Sequence, residues 1–154
     1  ELTRLEGDQF SAVYCSHNLE HYYRHDVPKV LAGFLHVLRE GGFAHVRVPD
    51  LQALMRIVVD KKLDLEDVLY ISPAGPILVL DVIYGYGVEI ERSGQDFFAH
   101  KTGFTQASLQ RALHAAGFRK IYSSSTPARL EVQALAFKGE PDPDMLALFA
   151  LPEG

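Results

Sequence analysis

Between residues 10 and 48 two hydrophobic periods follow one another in a fixed order, and that order leaves few folds open. Residues 10–15 (FSAVYC) form a short apolar, β-prone run, the pattern of a buried strand. Over residues 23–38 the apolar side chains of Val27, Val30, Leu31, Phe34, Leu35 and Leu38 recur at helical spacing. Asp26 is placed to cap that helix, and Pro28 falls in its first turn, where a missing N–H is harmless. Gly41-Gly42 then reads as the helix stop, because glycine accepts the left-handed cap conformation. Residues 43–48 (FAHVRV) make a second strand, closed by Pro49-Asp50. Strand, helix, strand with so short a return is a βαβ unit, which requires parallel strands and a right-handed crossover.

The remaining chain extends this α/β reading. Residues 50–62 have helical spacing and residues 65–70 suit a short helix. Residues 72–76 (SPAGP) form a turn. Residues 77–84 read as a helix broken by Gly85-Tyr86-Gly87, and residues 89–102 as irregular. Residues 105–116 form a helix that begins on Thr105 and ends on Gly117. Residues 118–124 and 130–138 make two more strands joined at Pro127. The tail, residues 139–154, is rich in Pro and Asp and ends in an apolar stretch at 145–151. The organisation expected is a domain over residues 1–138, interrupted by an insertion at about 50–103, followed by the tail.

Charge and cysteine content narrow the function. A net charge of −5 opposes general nucleic-acid binding, since phosphates call for clustered Lys and Arg. No apolar run reaches the ~20 residues that span a bilayer. A single cysteine, Cys15, precludes an internal disulfide and suits a reducing compartment, so a cytoplasmic location is expected. Cys15 lies within a strand and reads as buried and inert.

Residues 16–25 (SHNLEHYYRH) carry the most chemistry. His17, His21 and His25 are four apart, and His17-Asn18-Leu19-Glu20-His21 matches the H-x-x-E-H pattern of inverted zinc peptidases. That reading needs a regular helix and a third ligand. Asn18 directly after a strand favours a turn instead, so no metal is assigned. Histidines at a strand end can also simply bond a carbonyl or face water. In a parallel sheet, however, this turn leaves the carboxyl end of the first strand, where open α/β sheets bind ligands.

Three segments resemble class I S-adenosylmethionine-dependent methyltransferases of the type 11-like group, in their C-terminal portion. Residues 10–21 are similar to that family's fourth strand and its F-D-x-V…L-E-H loop. Residues 37–43 (VLREGGF) are similar to its R-V-L-x-P-G-G turn, and residues 103–118 to its last helix with an A-G-F exit. Two features depart from the pattern: Ser11 stands where the family has aspartate, and the sequence has neither a G-x-G-x-G loop nor a second-strand acid for the ribose.

The resemblance implies a Rossmann-like methyltransferase sheet containing the family's strands 4-5-7-6 with flanking helices and a helical insertion. It implies S-adenosylmethionine as the cofactor of the full-length protein, this chain being a fragment inactive on its own. It further implies that Ser16, His17, Leu19 and His21 flank the cofactor. His17, His21, Asp50, Tyr84 and His100 would contact an unidentified methyl acceptor, with Lys101, Tyr86, Tyr22 and Tyr23 nearby. Loss of the preceding strands would leave residues 10–15 as an open edge, so self-association is expected. The alternative is a non-catalytic regulatory or assembly module that has kept the sheet.

Overall fold

The computed structural model describes residues 2–152. Its central sheet has four strands in the order β1-β2-β6-β5. They are β1 (Phe10–Ser16), β2 (Leu38–Pro49), β5 (Lys120–Thr126) and β6 (Glu131–Phe137). β1 and β2 are parallel, while β6 runs antiparallel to both of its neighbours. The βαβ unit is therefore present, with α1 (Val27–Val37) as its crossover.

Strand alternation sorts the sheet into two faces. Ala44, Val46 and Val48 of β2 and Val132, Ala134 and Ala136 of β6 are all fully buried and join one cluster. That cluster is completed by Leu31 and Phe34 of α1 and by Leu109 and Leu113 of α5 (Gln106–Ala116). The opposite face carries His45, Arg47, Glu131, Gln133 and Phe137. α6 (Pro143–Leu148) leads the tail back to this face, and Phe149 meets Phe43 edge to face at 5.3 Å. α5 begins and ends as its sequence requires. Thr105 accepts from the Ser108 amide, and Gly117 takes φ +107.

Several expectations are corrected. Gly41-Gly42 does not cap α1, which stops at Val37 because Leu38 has already joined β1 opposite Phe10. The pairing then jumps from Phe10↔Leu38 to Ala12↔Phe43, and the surplus residues of β2 bulge out. Glycine is needed at 42 for another reason: a Cβ there would meet three carbonyl oxygens, of Arg39, Ser11 and Phe10, at 2.9 to 3.2 Å. Asp26 stands at the N-cap of α1 but makes no side-chain cap. Its carboxylate is drawn to Lys29 Nζ at 2.9 Å. β1 is the open edge expected for residues 10–15 among the described residues, but its apolar run is not buried throughout: Phe10 and Tyr14 are exposed.

The insertion is not wholly helical. Residues 65–70 do not form a helix. Instead β3 (Val68–Ser72) pairs with β4 (Gly75–Leu78) in a hairpin that turns at Pro73-Ala74. α2 (Leu51–Lys61) and α3 (Val79–Tyr84) flank it. The supposedly irregular residues 89–102 begin inside α4 (Gly87–Ser93). Ala53, Leu54, Ile77, Val79 and Val82 form a second small cluster, which Leu130 joins from just before β6.

Candidate functional site

The carboxyl ends of β1 and β2 meet the amino end of β6, because Pro49 pairs with Glu131. That register brings together charges far apart in sequence. Both Arg47 Nη2–Glu131 contacts are short, 2.9 and 2.8 Å, and Glu131 is buried. His17 follows β1 directly and takes a left-handed φ of +47, which swings its ring toward the same carboxylate. His17 Nε2 donates to Glu131 Oε2 at 3.1 Å, and its Nδ1 stands 3.6 Å from Glu20 Oε1.

These neighbours set the proton affinities. Glu20 is the main cause of a raised His17 pKa; partial burial opposes it and Glu131 reinforces it. For Glu131, burial pushes the carboxyl up, but Arg47 and then His17 together hold it below its ordinary value. Burial chiefly lowers the His100 pKa, with the neighbouring His21 adding to the effect and Glu20 opposing it.

Leu19–His21 is a single 3-10 turn rather than a helix, which removes the basis for an inverted zinc-peptidase reading. The turn buries Leu19 completely beneath the sheet end and buries Glu20 beside it. His21 meets His100 edge to face, with ring centroids 5.0 Å apart. The segment bearing His100 is strapped to the turn by its backbone. The amides of Lys101 and Thr102 donate to the Glu20 carbonyl at 2.8 and 3.1 Å.

Of the residues singled out in the sequence, His17, His21 and His100 converge. Ser16 ends β1 beside them, in register with Arg47. Asp50 is directed elsewhere: it is 3% exposed, accepts from the amides of Gln52 and Ala53 at the start of α2, and takes the Ser125 hydroxyl. The Tyr84 side chain is exposed, while its carbonyl accepts from the His100 amide at 2.9 Å. Glu131 and Arg47 carry no local sequence signal and join the site only through the β2–β6 register. Glu20 was legible in the L-E-H triplet, though its burial was not.

A cavity of about 260 Å³ opens beside His21, walled by Tyr22, Tyr23, Phe97, Asp26 and Lys101. Lys101 Nζ lies 5.4 Å from the Tyr23 ring centroid. A larger cavity, about 320 Å³, lies on the second sheet face between His45, Tyr122 and Phe149, away from the strand ends. No helix among the described residues is long and apolar enough to cross a membrane.

No family model and no curated protein matches the sequence. Solved structures do match the fold. A protein of Bordetella parapertussis described as a "possible exported protein" aligns with TM-score 0.53 at 15% identity, over 91% of this chain and 43% of its own. The 1,6-didemethyltoxoflavin N1-methyltransferase of Burkholderia thailandensis, solved with S-adenosylhomocysteine, aligns with TM-score 0.52 at 17% identity, over 90% and 48%. A SAM-dependent methyltransferase of Archaeoglobus fulgidus gives TM-score 0.51 at 12% identity, over 89% and 63%. The chain thus spans less than two thirds of each of these proteins. The likeness is one of architecture: this chain has the Rossmann-like α/β fold found in solved SAM-dependent methyltransferases.

Proposed function

We propose that the chain is the C-terminal portion of a class I, type 11-like SAM-dependent methyltransferase acting on an unidentified acceptor. The observation that carries this reading is the strand order β1-β2-β6-β5, with one parallel pair followed by an antiparallel strand, and the His17–His21 turn at the parallel pair's carboxyl ends. Ligands of open α/β sheets bind at that edge.

The residues present make one wall of a cofactor site. Ser16, His17 and the turn over Leu19 and His21 stand at the strand end, but the described residues contain no glycine-rich loop for close backbone approach and no acid for a ribose. They do not amount to a cradle for S-adenosylmethionine. Accordingly, no catalytic step is assigned to this chain through the cofactor. What its own residues supply is an acceptor side: His17, His21 and His100 with the aromatic cavity walled by Tyr22 and Tyr23. Asp50 and Tyr84 would support that side through backbone and helix positioning. A methyl transfer there would rest mainly on alignment of the reacting groups.

Titration calorimetry of S-adenosylhomocysteine tests the reading. Little or no binding is expected for the 154-residue chain and clear binding for the longer polypeptide that would contain it. Absence of binding to both would favour a non-catalytic assembly module instead. A cytoplasmic location is proposed with it, on the strength of the lone buried thiol.

A further inference from the structure

One cluster at the strand ends shares His21 and His100 with the proposed acceptor side and adds to them a buried carboxylate that methyl transfer does not use. Glu20 is 1% exposed, and neither of its carboxylate oxygens takes part in a hydrogen bond. Its contact with His17 Nδ1, at 3.6 Å, is too long for one. A carboxylate removed from water in this way is strongly disfavoured unless it is well paired or binds a metal, and its ion-pair contact, to His17, is long and engages a half-exposed ring already held by Glu131. One ligand atom from each of Glu20, His21 and His100 lies within 4.8 Å of the others.

The histidines are prepared for coordination. His21 Nδ1 lies 3.2 Å from the Ala99 carbonyl oxygen, and His100 Nδ1 lies 3.1 Å from that of Val82. A carbonyl oxygen only accepts, so each Nδ1 carries the proton. The neutral ring then keeps its lone pair on Nε2. Metal-bound histidines are oriented in just this manner, with the far nitrogen donating to a carbonyl. The two segments are also held in place without help from long side chains. Lys101 and Thr102 amides bond the Glu20 carbonyl, and the His100 amide bonds that of Tyr84.

We propose that Glu20, His21 and His100 form a binding site for a divalent transition-metal ion of the zinc class. Two imidazoles and one carboxylate suit such an ion, whereas Mg²⁺ and Ca²⁺ prefer an all-oxygen set. Zinc bonds to nitrogen and oxygen of about 2.0–2.2 Å place tetrahedral ligands roughly 3.3 Å apart. Ligand atoms now within 4.8 Å of one another therefore close by at most about 1.5 Å on binding, a distance that side-chain torsions can cover. Three protein ligands leave a fourth position for water or a substrate atom. The site overlaps the proposed acceptor side at His21 and His100 but does not rest on the methyl-transfer reading, because its readout is metal binding itself.

The test uses the 154-residue chain stripped of metal by a chelator. Co²⁺ is titrated while the visible absorption is followed, and Zn²⁺ is then added. One saturable equivalent with the intensity of a four-coordinate site, displaced by one equivalent of Zn²⁺ and not by Mg²⁺, is the expected result. Glu20→Gln and His100→Gln, each first shown by circular dichroism to be folded, are expected to weaken Zn²⁺ binding at least about 100-fold. His25→Gln and His114→Gln, at exposed positions, leave it unchanged. A readout free of any variant is protection. Bound Zn²⁺ is expected to shield His21 and His100, but not His25, from diethyl pyrocarbonate, as mapped by mass spectrometry. Absence of a saturable site, binding that survives both ligand substitutions, dependence on His25 or His114, or equal modification with and without Zn²⁺ would each overturn the proposal.

Discussion

Glu131 shows how one residue can link sheet register to site chemistry. It is buried, clamps Arg47 with both oxygens and holds the ring of His17. Glu131→Ala removes all three contacts and leaves a guanidinium without its partner. A loss of roughly 2 kcal/mol is expected, within the range for hydrogen bonds to charged groups, read as a lower urea midpoint at unchanged slope. The sign of the pH effect follows from the lowered folded-state pKa of Glu131. Its stabilisation is present above the unfolded value of about 4.3 and is lost as pH falls through the folded value. The wild-type midpoint is expected to drop more steeply in acid than that of Glu131→Gln; parallel curves would contradict this. Cys15 makes a second prediction. Burial pushes its thiol up to about 11, so at pH 8 it is expected to react with a disulfide reagent only after denaturant is added. Rapid labelling of the folded chain would refute that.

Among the elements, those with a full hydrophobic period were legible. α1, α2 and α5 show helical stripes, and the cap at Thr105 acts as the sequence suggests. The failures share a cause: partners that lie outside the local window. Gly41-Gly42 looked like a helix stop, but Leu38 had been claimed by β1. Residues 65–70 have no strong period, and only pairing with β4 draws residues 68–70 into a strand. The site divides in the same way. The three converging histidines were visible because two share one loop and one precedes a helix. Arg47 and Glu131 were not, because only antiparallel pairing unites them. Turn glycines in the insertion provide an element-scale test. Gly85 has φ +98, and a Cβ there would sit 2.4 Å from the Phe98 carbonyl oxygen. Gly94 has φ +64 with open space around it. Gly94→Ala is expected to cost about 1 kcal/mol, the conformational term alone. Gly85→Ala should cost more, roughly 2–4 kcal/mol, since the backbone must also move. Equal melting temperatures for the two variants would remove the steric account.

At the scale of the whole molecule, β1 leaves one side of the sheet open among the described residues, with Phe10 and Tyr14 exposed along it. An unpaired edge of this kind is a template for another strand. Self-association that grows with concentration is expected in size-exclusion chromatography with light scattering, and a strict monomer at every concentration would count against it. The insertion, whose small cluster draws only Leu130 from outside it among its buried members, has a consequence for the route to the native state. β2 reaches β6 only after the chain has passed through that lobe and α5, so the sheet depends on distant pairing. The hairpin and its helices, by contrast, assemble from near neighbours, and closing long loops is the slow step. On refolding, pulse-labelled amides of α2 and β3–β4 are expected to gain protection before those of β6. The opposite sequence of protection would mean that the sheet nucleates the chain and the lobe condenses onto it.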